Sequence, residues 1–510
     1  MTVGDILRKA AREHPDKIGL IFGSRRFSWR EFDQRVNSLA NALLGLGLQR
    51  GSRVAILAAN CNEYLETNYA AAKAGLVTVP TNVRLAPAEL SYTLSHASPS
   101  ALIVHPDFVE AEKAVSGNLG NLIRIGFGSN HPYGLDYETL ISVNSQKDPE
   151  VEVGEDDLWL IAYTSGTTGA AKGVMISHRN ACSAEIALAK TLGLESSDVY
   201  LLSGPFYFNG GGGLRLAATW VGATIVIVSF EAETVLQTIQ KERVTCFHGG
   251  TTPLSRLVNH PDVTKYDLSS VRKTMVTGSR ISPALWQRTE SVFGPIVNAC
   301  YGLTETIGNG TYLSRGDVAF EGALSHRLSS SGKPMMSLEI KVVSDDGKEV
   351  PRNGATTGEI IMKGDPVATG YWRDSERTAA MIRNGWLHTG DIAAIDEDGF
   401  LYILDRKSEM IKSGGVQIFP AEVENVINRH PAVKICAVFK VPDSEWGETP
   451  KALVVLKDGV AASEKDIIEH CKKYIASYKK PTSVEFVDSL PMTEWGKILR
   501  KELVARYWKK

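Results

Sequence analysis

Residues with chemical potential gather first in one stretch, Tyr163-Thr-Ser-Gly-Thr-Thr-Gly-Ala-Ala-Lys-Gly173. It offers hydroxyls at Thr164, Ser165, Thr167 and Thr168, glycines at Gly166, Gly169 and Gly173, and one cation at Lys172. Glycines let successive backbone N–H groups turn toward one point, and such an array forms an anion nest. Hydroxyl donors and an ammonium complete a set suited to a polyphosphate. Two other readings compete. A Gly/Ser/Thr linker joins many periodic segments, but a linker gives no reason for a lone lysine behind the glycines. The P-loop pattern G-x-x-x-x-G-K-[ST] fails, because Lys172 follows Ala171 and no Ser or Thr comes next to hold magnesium.

Three more stretches carry polar chemistry. Tyr301-Gly-Leu-Thr-Glu-Thr306 sets one carboxylate, Glu305, beside two hydroxyls. A polar turn after a strand is the plain reading of this stretch. Gly385-Trp-Leu-His-Thr-Gly-Asp391 ends in an acid beyond a glycine, also a common turn arrangement, and Arg406 follows at a charged break. Pro491-Met-Thr-Glu-Trp-Gly-Lys-Ile-Leu-Arg500 places Lys497 after Gly496, where an unselected lysine would simply be solvated.

The elements that must position these residues follow from periodicity. The apolar run 158–162 predicts a buried strand leading into the first stretch. After 174–176, the polar run at Ser177 predicts a helix cap. Upstream, Phe32, Val36, Leu39, Leu43 and Leu44 recur at helical spacing, with Gly51-Ser52 expected to end that helix. Strands at 54–57 and 76–79 flank a helix at 64–73, an alternation that implies parallel sheets covered by helices. Residues 111–150 are weakly patterned and are expected to form loops and short elements. From 336 to 404 short strands alternate with turn signals at 345–347 and 396–399, predicting a small, mostly antiparallel subdomain. Beyond the charged break at 405–409, Pro420 opens a helix carrying Val423, Val426 and Ile427. Strands at 435–441 and 452–456 and a helix at 463–474 complete an α+β module.

These motifs, in this order, resemble the adenylate-forming superfamily, which holds acyl-CoA synthetases, carrier-protein adenylation domains and luciferases. Its usual phosphate loop has Pro where this chain has Ala171. The resemblance implies that Thr164, Ser165, Gly166, Thr167, Thr168, Gly169 and Lys172 bind phosphates. It sets Tyr301 and Gly302 against adenine, Thr304 on the α-phosphate and Glu305 on Mg²⁺. Asp391 would accept hydrogen bonds from both ribose hydroxyls, and Arg406 would reach the ribose or a phosphate. Lys497 takes the place of the catalytic lysine that bridges the incoming carboxylate and the α-phosphate. The small domain of relatives rotates about a hinge at the position of Ser408, where Asp or Lys is common. Ser413, Gly414 and Gly415 would line the thiol channel, and Trp446 would lie near the CoA nucleotide. The acyl pocket falls on Tyr207, Phe208, Gly211, Val276, Gly278 and Cys300, with Phe208 where many relatives have His. Those aromatic and apolar side chains favour a ring-bearing or apolar acid over acetate, although the same residues could be ordinary core. The segment Thr277-Gly-Ser-Arg-Ile281 departs from the usual Gly-Gly-Ala-Pro, and Arg280 either pairs with a second polar group or faces solvent. No aspartate follows Phe206, which argues against amino-acid activation.

Bulk properties agree with a globular enzyme. The chain has 510 residues, 43% hydrophobic and 22% charged, with a net charge of −2, so it should hold more than one domain and has no electrostatic case for nucleic acid. Six scattered cysteines form no C-x-x-C pair, which fits reduced thiols in a cytoplasmic protein. The apolar run 221–230 is about half the length of a membrane span. The expected fold is mixed α/β: two helix-covered sheets and a small distorted β-barrel in residues 1–407, then a mobile α+β domain in 408–510. The expected activity is ATP-dependent, AMP-forming ligation of a medium-chain, alicyclic or aromatic acid to coenzyme A, with Mg²⁺ and room for a homodimer. The alternatives are an adenylation enzyme that loads a carrier protein and a non-catalytic nucleotide-binding relative.

Overall fold

A computed structural model describes the chain except for residues 121, 129, 165–170, 209–212, 415, 493–497, 509 and 510. By internal contacts it divides into two compact units, Met1–Ile340 with Met362–Leu387, and Lys341–Ile361 with His388–Lys510.

The first unit is built on two large sheets. One has nine strands; its centre is parallel, running through Ile18–Phe22, Thr224–Ile227, Val199–Leu202, Cys246–Gly249, Lys273–Val276 and Val297–Gly302, and its ends are antiparallel. The other has eight: Leu158–Thr164, Val77–Pro80, Arg53–Leu57, Ala101–Val104, Ile123–Gly126 and Leu135–Asp136 run parallel, with Lys172–Ser177 and Gly370–Tyr371 added antiparallel. Helices Trp29–Gly45 and Asn62–Lys73 pack on each other between the sheets, the first touching Ile18–Phe22 and the second Arg53–Leu57 and Val77–Pro80. The outer face of the eight-stranded sheet is covered by helix Pro87–Ala97 through Leu90, Leu94 and Ala97. The short strands and the helix Tyr137–Val143 lie within the weakly patterned stretch 111–150, too brief for periodicity to register.

One expected boundary is corrected. The helix that carries Phe32 and Leu43 ends at Gly45, not at Gly51-Ser52. Gly47 takes φ +89° and turns the chain out first, while the Gly51 N–H donates to Gly75 O at 2.8 Å in the next turn.

Strands Glu339–Val343, Thr357–Lys363, Trp386–Ile395 and Leu401–Arg406, which lie largely in the second unit, belong to one five-stranded sheet. Strands Ile411–Ser413, Val416–Ile418, Val433–Asp443, Gly447–Leu456 and Ser483–Phe486 form another. Helices Pro420–Ile427 and Glu464–Tyr474 bury Val423, Val426, Ile427, Ile467 and Cys471 against one side of it. Helix Arg500–Tyr507 closes the other through Leu503. Among the described residues no helix is long and apolar enough to cross a membrane.

The start of helix His178–Leu192 carries a pH-sensitive contact. Its Ser177 cap accepts from the Asn180 N–H at 3.2 Å, and the buried His178 Nδ1 accepts from the Val3 N–H at 3.1 Å. A charged imidazolium would present a donor to that donor. Burial therefore pushes the His178 pKa down, from 6.5 to about 4. The unfolded chain takes up this proton near pH 6.5 and the folded chain only near pH 4. This contribution is complete above pH 6.5 and is lost as the pH falls toward 4, up to roughly 3 kcal/mol. Thermal melts should show the wild-type midpoint falling more steeply than that of His178→Gln across this window; parallel curves would contradict it.

Candidate active site

Lys172 opens a strand that returns directly along the strand before it. In the hairpin Leu158–Thr164 with Lys172–Ser177, Tyr163 faces Gly173 and Thr164 faces Lys172. The polyphosphate candidates Ser165, Gly166, Thr167, Thr168 and Gly169 lie outside the described residues, but the residues on either side of them are fixed. The Tyr163 hydroxyl pairs with His96 Nδ1 at 2.8 Å, and Tyr92, stacked on His96 at 5.4 Å between ring centroids, donates to Ala171 O at 3.4 Å. Burial holds the Tyr163 phenol above its ordinary pKa and the His96 imidazole below. Gly173 is required by close approach: a Cβ there would stand 2.7 Å from Ile161 Cγ2 and 3.3 Å from Trp372 Cβ.

The second element is the turn after Val297–Gly302. A tight helical turn at Thr304–Thr306 leaves Ile307 at φ +56°. The buried Thr306 hydroxyl donates to Asn309 O and accepts from the Leu303 N–H, fixing the turn internally. Gly302 leaves room for it, since a Cβ would lie 2.1 Å from Gly308 O. Tyr301, Gly302, Thr304 and Glu305 are all partly exposed here.

The two elements meet at a residue the sequence did not single out. Gly370–Tyr371 pairs with Lys172–Ser177, Tyr371 opposite Val174, and the Trp372 N–H donates to Gly173 O at 2.7 Å. The Tyr371 hydroxyl donates to Glu305 Oε1 at 2.7 Å, and Lys172 Nζ stands 5.0 Å from the centroid of the same ring. Ala368 N–H also donates to Glu305 O at 2.8 Å. The only trace of this in the sequence is the aromatic pair after Gly370. His96 and Tyr92, one helical turn apart, were missed likewise.

Acyl-pocket candidates collect at the carboxyl ends of parallel strands, where open α/β sheets bind ligands. Gly249 pairs with Val276 and Val276 with Ala299, so Val276 and Cys300 sit at neighbouring strand ends. Both are buried, and the Cys300 thiol donates to Gly308 O at 3.3 Å. Burial pushes that thiol up to about 12. Tyr207 and Phe208 meet edge to face at 4.8 Å. Gly278 is exposed at φ +82°, Arg280 is exposed as well, and Gly211 lies outside the described residues. Buried His248 joins this region, its Nδ1 paired with the Tyr200 hydroxyl at 3.2 Å. Gly213, at φ +44°, admits the ring, because a Cβ there would lie 2.4 Å from it.

The first 372 residues decide the family. Residues 7–372 match the AMP-binding enzyme family, and residues 422–497 match its C-terminal domain. The chain belongs to the AMP-binding enzyme family. It lies in the acyl-CoA synthetase branch of the adenylate-forming proteins and is an acid–thiol ligase. A feruloyl-CoA synthase of Amycolatopsis is 35% identical over 98% of this chain and 98% of its own. An indoleacetate–CoA ligase of Aromatoleum aromaticum is 33% identical over 99% of each. The crystal structure of an anthranilate CoA ligase with anthranoyl-AMP superposes with a TM-score of 0.89 at 30% identity, covering 99% of this chain and 97% of the other.

Magnesium is implied by this family, and the donor set fits it. Among the described residues no group of three or more His, Cys, Asp or Glu could hold an ion. A single glutamate whose other oxygen is already hydrogen-bonded suits an ion that arrives with phosphates.

In the second unit of this AMP-binding enzyme, Asp391 and Arg406 face each other across adjacent strands, Arg406 Nε to Asp391 Oδ1 at 2.9 Å. Asp391 is buried and Arg406 is partly exposed. Ser408 is an exposed turn residue and Ser413 ends the strand Ile411–Ser413. Gly414, at φ +55°, donates to Trp446 O at 2.9 Å, and a Cβ there would meet the Trp446 ring at 2.6 Å. Trp446 itself is 50% exposed at the tip of a hairpin. Gly415 and Lys497 lie outside the described residues. Their flanks are tied: Met492 bridges Ile498, and the Leu499 N–H donates to Pro491 O at 2.9 Å.

Removing Arg406 takes an ion-pair partner from a buried carboxylate. Arg406→Ala should lower unfolding stability by about 1–2 kcal/mol, and Asp391→Asn by less, since it leaves no buried charge behind. Denaturant titration of both variants tests this; the reverse order would show that the pair does not matter.

Proposed function

We propose that this enzyme joins a medium-chain, alicyclic or aromatic carboxylic acid to coenzyme A through an acyl-adenylate. The carboxylate oxygen attacks the α-phosphorus of ATP and pyrophosphate leaves. The thiol then attacks the acyl carbonyl and AMP leaves. The observation that carries this reading is the convergence of Lys172 and Glu305 on Tyr371, with Lys172 following the glycine-rich stretch in the chain. It supports a cradle for a charged triphosphate in which positioning, rather than covalent work by the protein, lowers the barrier.

In this reading residues 164–169 and Lys172 bind the phosphates, Tyr301 and Gly302 face adenine, and Thr304 contacts the α-phosphate. Glu305 holds the magnesium ion, which neutralises phosphate charge when bound. Asp391 takes the ribose hydroxyls and exchanges part of its pairing with Arg406 for them. Lys497 bridges acid and α-phosphate, residues 408–510 form the small domain, and Ser408 is its hinge. Ser413, Gly414, Gly415 and Trp446 serve the thiol substrate. Tyr207, Phe208, Val276 and Cys300 supply an apolar and aromatic lining, and relatives that act on ferulate, indoleacetate and anthranilate favour a ring-bearing acid.

Pyrophosphate release across a panel of acids, with CoA present, tests the assignment. A ring-bearing acid should exceed acetate by at least about tenfold in kcat/KM, and AMP release should require CoA. Lys497→Ala should lower acid-dependent pyrophosphate exchange by about 100-fold or more, while supplied acyl-AMP is still converted to acyl-CoA. Equal loss of both half-reactions would contradict the role given to Lys497.

A further inference from the structure

Tyr371 touches both charged groups assigned to the triphosphate, and it is held from every side while doing so. Its backbone N–H donates to Thr378 Oγ1 at 2.9 Å, its strand pairs with Val174, and its side chain is 6% exposed. Gly370 before it, at φ +146°, would place a Cβ 2.6 Å from Thr378 Cγ2, so helix Ser375–Met381 packs directly on this strand. The ring therefore has little freedom of its own. One end gives a 2.7 Å hydrogen bond to Glu305 Oε1, and its face lies 5.0 Å from Lys172 Nζ.

A direct pair between the ammonium and the carboxylate gathered on this ring would use up both groups before a nucleotide arrived. A phenol resolves the conflict. Its hydroxyl gives the carboxylate a donor without bringing a positive charge, and its π face receives the ammonium without bringing a full negative one. The hydrogen bond also fixes the glutamate rotamer and leaves Oε2 for another ligand. We propose that Tyr371 is a positioning residue that holds Glu305 ready for magnesium and keeps Lys172 apart from it for the phosphates. This rests on the roles proposed above for those two residues.

The test is calorimetric binding of a non-hydrolysable ATP analogue at a series of Mg²⁺ concentrations. Tyr371→Phe keeps the ring and loses the hydroxyl. It should raise the half-saturating Mg²⁺ about tenfold, as loss of a group that orients a ligand does, and leave binding in excess chelator unchanged. Tyr371→Leu should weaken binding in chelator as well, because Lys172 then closes on Glu305. On a Glu305→Gln background, Tyr371→Phe should add nothing to the Mg²⁺ requirement, a comparison that holds even if the variants are less stable. A wild type that binds the analogue, together with a Tyr371→Phe curve that superimposes on it, overturns the inference alone. Equal weakening with and without Mg²⁺ overturns it too, by showing a merely structural residue. A wild type with no Mg²⁺-dependent binding removes the functional reading and this inference with it.

Discussion

The direct antiparallel return of Lys172–Ser177 along Leu158–Thr164 is the constraint from which the first unit's site follows. In a wholly parallel sheet, a chain leaving the carboxyl end of a strand must cross over before starting the next, and that strand begins at the opposite edge. Here the next strand pairs antiparallel, so its first residue, Lys172, stands opposite Thr164 at the edge where the preceding strand ends. An antiparallel strand at the border of a sheet also leaves an unpaired edge. Gly370–Tyr371 takes that edge and brings the ring that joins Lys172 to Glu305. A strand–turn–helix arrangement, as in a P-loop, would offer no such edge.

Local features of this site could be read directly from residues. The 158–162 run announced its strand because it is apolar and bounded by acids, and Ser177 announced a helix because capping depends on neighbours alone. Composition places Lys172 in a loop, yet it is the first residue of a strand, because pairing with Thr164 is a register fact that the local run of glycines and alanines does not display. Tyr371 was not legible for the same reason carried further. Its importance comes from pairing between segments distant in the chain, and no periodicity in 365–372 points to that.

The second unit shows how a single residue of register can hide a pair. The turn signal at 396–399 was legible, and counting outward from Ile395 opposite Leu401 gives Ala393 opposite Ile403. Continued, that count would set Asp391 against Asp405, two acids across one rung. A bulge between Ile392 and Ala393 shifts the register by one, so Asp391 faces Arg406 and Ile392 faces Asp405. Bulges redirect side chains in this way at sites where a strand must present a particular group. The two residue types were visible in the sequence; their opposition depended on an irregularity that leaves no compositional mark.

The shifted register has a second consequence, since it leaves Asp405 to be satisfied elsewhere. Its carboxylate accepts from the Ala421 N–H at 3.0 Å and the Arg406 N–H at 2.8 Å, and it faces Arg500 Nη1 at 3.9 Å. Arg500 also pairs with Glu409 at 2.7 Å and with Glu424. One partly buried guanidinium thus serves three carboxylates drawn from the end of a strand, the turn after it and helix Pro420–Ile427. One positive charge cannot compensate three negative ones in such surroundings. Burial drives the Asp405 pKa up to about 7, with Arg500 opposing and Glu409 adding to the rise. Protonation of Asp405 would reduce the excess charge. Arg500, three residues after Lys497, is thus also the group that binds Glu409 beside Ser408, so these two parts of the proposed small domain are tied to a single electrostatic node. Replacing Arg500 would release that node at every point at once, whereas replacing one acid would relieve an existing surplus of negative charge.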